Sequence, residues 1–440
     1  MANSIKTILI VLSLLVQQDL FADDTGLIGK KEAHTEIDSL VSLIEEIEVN
    51  PYYQISKDAI YSFVNQEKQN LQKDSISRKD LFLALSGITG LFRQGHLGII
   101  PDDSIFNDDS VFNPLSGIIK IEPGTHKIFI TTDATIQNIS FKKDMEIISI
   151  NGIPSNSLIN RFISYVPAET DAFACSSLSY SLGFLMAADK MAKQYRVEYS
   201  SNGHIDNKTL NGIKAKDVIR TIPYSPMSNE FSILNDSTML FSFNQCPQDN
   251  RFKAFVDSMF ATAKDSNIKH LIIDIRNNHG GASSAGDAVM MYLSENPFNS
   301  FQKHETRISK FFRKSRKNQY DNDTIITGNA DLIAPHREDI RFAGKTYLLT
   351  SNETFSSAAA FSWAFKEFTD GIIIGEETGG VNICVGDVIG VKLPYTGFKA
   401  MIPCRIFYEY GAKEGDEIHG TKPHIPTKAD DALDYAIKII

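Results

Sequence analysis

The residues able to do chemistry are few and far apart in the chain. Ser356 and Ser357 fall where an apolar run, Tyr347 to Leu349, passes through polar residues into small and apolar residues at helical spacing, Ala360, Phe361, Ala364 and Phe365. A hydroxyl where a strand turns into a buried helix is well placed as a nucleophile, because the first helical turn has free N–H groups and its dipole favours developing negative charge. Serine is also favoured there as an ordinary N-cap, which is the commoner role. Upstream, Ile272 to Ile275 reads as a buried strand that ends in Arg276-Asn277-Asn278-His279-Gly280-Gly281. Glycines in such a turn permit positive φ and close approach, so that backbone amides can point into a site. A phosphate cradle is the competing use, but no Lys-Ser or Lys-Thr follows the glycines. His96 stands between Gly95 and Gly98 at the end of a helical segment, where it either projects its imidazole or caps the helix terminus with its charge. Glu417 lies on a Gly- and Pro-shaped turn near the C-terminus, with His419 and His424 beside it.

These residues need a scaffold to bring them together. Glu32 to Gln72 reads as helical with a break at Asn50-Pro51, and Lys79 to Arg93 as a further helix. From Gly117 to about Ile219 short alternating strands dominate, including Asp144 to Pro154, which turns at Asn151-Gly152. Helices are expected at Leu158 to Tyr165 and Phe184 to Gln194, and a strand at Tyr195 to Ser200. Beyond Pro223 the pattern alternates. Strands are expected at Thr238 to Phe243, His270 to Ile275 and Ile372 to Ile374, and helices at Arg251 to Ala263 and Gly286 to Ser294. A hairpin is expected from Val388 to Ile402. This alternation of buried strands and helices argues an α/β sheet covered by helices.

Composition narrows the function. The 440 residues are 42% hydrophobic and 22% charged with a net charge of −10, an ordinary balance that argues against nucleic acid as a partner. The basic stretch Lys310 to Lys317 reads as a solvated loop or insertion. Lys6 followed by an apolar core from Ile8 to Val16 and a polar stretch that ends at Ala22 has the form of a secretory signal, too short to span a membrane. The expected location is therefore periplasmic or extracellular. Cys175, Cys246, Cys384 and Cys404 lack the close pairing of a metal site, and both free thiols and disulfides fit their spacing.

In this order the segments resemble the serine-peptidase superfamily of C-terminal processing proteases, tricorn protease and interphotoreceptor retinoid-binding protein. Gly95-His96 resembles the Asp-Gly-His-Thr of the tricorn-like branch and Asp144 to Pro154 a strand of a PDZ domain. Ile272 to Gly281 resembles the family's Asp-Leu-Arg-x-Asn-x-Gly-Gly strand, Ser356 to Phe361 its Ser-Ala-x-Glu-Ile-Phe, and Glu417 to Ile425 its Glu-x-x-Gly-Val-x-Pro-Asp-Ile. The resemblance implies Ser356 as nucleophile and an oxyanion site from the N–H groups of Ser357 and of Gly280 or Gly281. One branch uses a lysine base, whose matching place here is Val381, and Gly379 to Asp387 contains no lysine. The tricorn-like branch implies His96 as base, oriented by Glu417. Histidine suits that role because its pKa lies near working pH and a carboxylate can hold its tautomer. The chain departs from the family at Gln94, Ala359 and His424.

The resemblance implies an α/β fold with a ClpP/crotonase-like protease core over residues 223–440. A signal peptide (1–22), an N-terminal helical region (23–105) and a PDZ-like β-rich domain (106–222) precede it. The expected function is serine endopeptidase activity on a peptide or protein, without metal or organic cofactor. Its rivals are a silent ligand-binding homologue on the same fold and a peptide-binding adaptor that uses the PDZ-like region alone.

Overall fold

The structure is a computed structural model that describes residues 26–102, 105, 111–189, 192–201, 203–214, 228–317 and 320–440. The expected signal peptide lies outside these residues. The chain packs as two compact units. The first contains everything up to Tyr224 together with Ile308–Asp323 and Asp387–Cys404; the second contains Ser225–Arg307, Thr324–Gly386 and Arg405–Ile440. Two later excursions of the chain, residues 308–323 and 387–404, thus belong to the first unit.

In the first unit, the helices Lys30–Ile47, Lys57–Asn70 and Arg78–Leu91 form the expected opening group. Two have serine N-caps: Ser56 Oγ accepts from the Ala59 N–H and Ser77 Oγ from the Asp80 N–H. Arg78–Leu91 is buried along most of its length, and a Cβ at Gly90 would stand 2.0 Å from the Ser164 carbonyl oxygen, so only glycine permits that packing. An antiparallel sheet follows in the order His204–Asn211, Gln194–Ser201, Glu146–Ile150, Ile128–Ile130, Ile119–Ile121. Ile153–Pro154 folds back on Glu146–Ile150 through Asn151 and Gly152, both at positive φ, as the Asn-Gly pair predicts.

The helix expected from Phe184 begins instead at Asp171 and runs to Asp189. Its serine-rich first half hides the periodicity, because Ser179 and Ser181 return their hydroxyls to the carbonyls of Cys175 and Ser177. The basic stretch is likewise a helix, Lys310–Arg316, rather than a loop, and Ser309 caps it. Its cations pair with Glu46, Asp323 and Asp387. None of the four cysteines is in a disulfide.

The second unit is built on a six-stranded sheet in the order Glu230–Asn235, Thr238–Ser242, His270–Asp274, Lys345–Thr350, Ile372–Gly375, Ile425–Pro426. The first pair is antiparallel and the remaining pairs are parallel. Successive side chains go to opposite faces, as strand geometry requires. Leu271, Ile273, Leu348 and Ile373 pack under the helices Asn250–Asp265, Ser283–Leu293 and Ser357–Phe368. Ile272, Tyr347, Leu349 and Ile374 pack with Ala432 and Ala436 of the helix Ala432–Ile439. Phe361, on the helix that follows Ser356, meets Phe243 edge-on at 5.6 Å, and Phe243 stacks on Phe241 and Phe252. This aromatic cluster anchors that helix to the sheet.

Among the described residues no helix is long and apolar enough to cross a membrane.

Candidate active site

Ser356 occupies the N-cap position of the helix Ser357–Phe368, but its hydroxyl makes no capping bond. Its backbone lies at φ 51° and ψ −128°, a region costly for any residue with a side chain. Ordinary capping, the commoner role for such a serine, therefore does not account for it. The surrounding turn is tightly tied. Thr354 Oγ1 donates to the Ile275 carbonyl and accepts from the Ser351 N–H, the Phe355 N–H donates to the Asn278 carbonyl at 3.0 Å, and the Gly380 N–H donates to the Thr354 carbonyl at 3.0 Å.

The glycine turn presses directly on this serine. At Gly280, φ is 96°, and a Cβ there would stand 2.7 Å from Ser356 Cβ and 2.9 Å from Ser357 N. At Gly281, φ is 135°, and a Cβ would stand 2.1 Å from the Cys246 carbonyl oxygen. No other residue fits either place. The Ser357 hydroxyl donates to the Gly281 carbonyl at 2.8 Å, which separates the two serines: one is spent on the turn, the other stands at the strained corner. The Gly280 N–H donates to Asn278 Oδ1 at 2.9 Å. Among the described residues, neither the Gly281 nor the Ser357 N–H meets an acceptor.

Asn278 is a residue that sequence reasoning passed over. It is fully buried, and besides the Gly280 N–H it serves the Phe243 carbonyl through Nδ2 at 2.7 Å and the Phe355 N–H through its own carbonyl. Its place in the turn motif was the available signal. Arg276 is held by a bidentate pair with Asp274, and it donates to the Ala429 carbonyl at 2.6 Å. It is a structural ion pair beneath the turn.

Glu417 lies in the turn at residues 414–417, half-buried, with Oε2 accepting from the Gly415 N–H at 2.8 Å. The Asn382 N–H donates to the carbonyls of Asp416 and His419, and Gly420 packs so closely that a Cβ would stand 2.6 Å from the Gly380 carbonyl oxygen. Gly380 in turn lies against Ser356, where a Cβ would be 3.0 Å from Ser356 N. Backbone contacts thus run from the Glu417 turn to the serine corner. His424 Nδ1 accepts from the Ile373 N–H at 3.0 Å, and burial followed by Lys366 lowers its pKa, so it serves as a backbone acceptor. His419 faces Glu377 at 3.5 Å, and His279 faces Glu353 at 4.0 Å.

His96 belongs to the first unit. Arg93, at φ 56°, ends the helix Arg78–Leu91 in a left-handed turn, and the Leu97 N–H closes on the Gln94 carbonyl at 2.9 Å. Burial pushes the imidazole down to about 4, so it is neutral near pH 7. A charge-dipole cap, the alternative role for this histidine, needs the protonated ring and is not served by a neutral one.

Sheet and site together describe a hydrolase-like corner: a strained serine after a parallel strand, with a glycine turn against it. Residues 240–426 match the model of Peptidase family S41. The crystal structure of mature CPAF is similar in fold, with 14% identity, coverage of 93% of this chain and 96% of that one, and a TM-score of 0.66. Mature CPAF complexed with lactacystin is likewise similar, with 14% identity, coverage of 93% and 97%, and a TM-score of 0.65. At these identities the likeness is one of fold.

Proposed function

We propose that this chain is an exported serine endopeptidase that works through an acyl-enzyme on Ser356, with His96 as general base and Glu417 as the carboxylate that orients it. The observation that carries the reading is the strained Ser356 corner, whose hydroxyl does not cap its helix and whose neighbour Gly280 tolerates no side chain. In the reaction, Ser356 Oγ attacks the scissile carbonyl while the neutral His96 imidazole takes its proton. The oxyanion is received by the Ser357 and Gly281 N–H groups, since the Gly280 N–H is already given to Asn278. Losing one such donor costs about 2.7–4 kcal/mol in barrier. His96 then returns the proton to the leaving amine, and a water repeats the cycle to release the acyl group.

The antiparallel sheet of the first unit, with its PDZ-like hairpin Glu146–Pro154, would hold an extended peptide by strand addition. Export rests on the apolar N-terminal segment.

The test is labelling with a fluorophosphonate probe of the wild type and of Ser356→Ala, Ser357→Ala, His96→Ala and Glu417→Ala. Labelling lost in Ser356→Ala, retained in Ser357→Ala and strongly slowed in the other two is expected. A folded wild type that does not label, or a Ser356→Ala protein that still does, would sink the proposal. Lactacystin, bound in the CPAF complex, is a further competitor to try against the probe.

A further inference from the structure

The His96 turn is flanked by two buried carboxyl groups that the proposed chemistry does not use. Glu169 is 1% exposed, and its Oε1 accepts from the Gly95 N–H at 2.9 Å, one residue from His96. In the opposite sense, Arg93 Nη2 donates to the Glu169 backbone carbonyl at 3.3 Å. Residues 93–95 and residue 169 are thus laced by two bonds running in opposite directions. Glu169 itself stands on firm ground. The next residue, Thr170, accepts from the Phe173 N–H through Oγ1 and from the Ala174 N–H through its carbonyl, which starts the helix Asp171–Asp189. On the far side of the turn, Gln94 is fully buried beside the Glu48 carboxyl, and its amide reaches the Pro51 carbonyl at only 3.5 Å. The Glu169 contact is therefore the well-made one.

A buried carboxyl that serves only the Gly95 amide and its own is hard to explain by stability. Removing it from water costs more than two such hydrogen bonds return. Placement of the turn is a better account. The left-handed Arg93 leaves the following residues without helical partners, and the Gly95 N–H must be satisfied by something rigid.

We infer that Glu169 is the positioning residue of His96: by holding the Gly95 N–H from a helix start, it fixes where the imidazole is presented. The inference rests on the reading of His96 as general base. Where the family pattern has an acid before Gly-His, this chain has Gln94 and brings a carboxyl to the turn from residue 169 instead.

The test compares Glu169→Ala, Glu169→Asp and Glu169→Gln with the wild type in three measurements: fluorophosphonate acylation rate, KM against kcat on a peptide substrate, and the carbon-13 shift of the His96 ring. Glu169→Ala is expected to acylate about 10²-fold more slowly, the scale of a misplaced catalytic group, with KM little changed. Glu169→Gln should acylate near the wild-type rate, because its amide oxygen accepts the same N–H. Glu169→Asp, one methylene shorter, keeps the charge and should still slow acylation; it decides the matter if the alanine variant does not fold. A folded variant with a lower melting temperature but an unchanged acylation rate and His96 shift overturns the inference and leaves a merely structural role. If the wild type itself does not label, the proposed function has failed instead. The His96 shift then judges this inference alone: a change in Glu169→Ala supports it and an unchanged shift overturns it.

Discussion

The two turns that present Ser356 and His96 are fixed by different means. The serine turn is held by backbone: positive φ at Ser356, Gly280 and Gly281, contacts that a single added carbon would break, and main-chain bonds from Phe355 and Gly380. The histidine turn is held by a buried side chain, Glu169, with Gln94 and Glu48 buried beside it. Backbone does not titrate, whereas buried carboxyls do. The proposed nucleophile, Ser356, is therefore placed independently of pH, while the placement of the proposed base, His96, is tied to the protonation of its supports.

The largest effect in breaking this contrast should come from Gly280→Ala. The new Cβ meets Ser356 Cβ, the Phe355 carbonyl oxygen and Ser357 N at 2.7–2.9 Å, in a conformation that L-residues avoid. Probe labelling is expected to fall by about 10²-fold or more, with a melting temperature that falls only moderately. A labelling rate near wild type would mean that the corner yields easily.

Asn278→Ala comes next. It strips the Gly280 N–H and the Phe243 carbonyl of their side-chain partner in a buried place, at about 1–3 kcal/mol for each group left unsatisfied. Urea unfolding should show the loss. If stability is unchanged, the serine turn does not depend on the Asn278 side chain.

The pH response should single out the histidine turn. Burial pushes Glu48 up to about 8 and Glu169 up to about 7, from an ordinary value of 4.5. Between those values the folded protein keeps protons that the unfolded chain has released. This contribution to stability is complete below about pH 4.5 and is lost as pH rises through 7 to 8. Glu48→Gln should flatten the fall in melting temperature over that range, and an unaltered slope would remove Glu48 from the account. For His96, the proposed base, the sign is opposite. His96 must be neutral to accept a proton, so the acid limb of the labelling rate should lie near pH 4 rather than 6.5.

The smallest effect is expected for Ser357→Ala. It deletes one half-exposed hydroxyl bond to the Gly281 carbonyl, worth about 1 kcal/mol, and leaves the Ser357 backbone N–H in place. A large loss of labelling here would reassign the nucleophile.

Much of the serine side was legible in the sequence. The apolar strands around Ile272, Leu348 and Ile373 have neighbours on both faces and read as buried runs, and Gly280-Gly281 could only be a turn. The strain at Ser356 was not legible, because it depends on Gly280 and Gly380 arriving from elsewhere in the chain. Strand Phe301–Ile308 was missed because most of its residues are only half-buried, which erases alternation. Glu169 and Asn278 could not be picked out by type or spacing alone: their roles exist only once a distant amide is brought to them.

The first unit draws on residues 387–404, and one contact there has a consequence for the order of synthesis. The fully buried Glu36 carboxyl accepts from the Tyr395 and Thr396 N–H groups and from the Thr396 hydroxyl, and Arg78 donates to the Thr396 carbonyl. A chain emerging from the ribosome makes Glu36 and the His96 turn early, but their packing is completed only after the serine segment has followed. A fragment ending near Tyr224 would leave Glu36 buried without these partners or drive it out to water. The unit that carries His96 is therefore finished only after Ser356 has been made, which on the proposed mechanism limits any cleavage by a half-made chain.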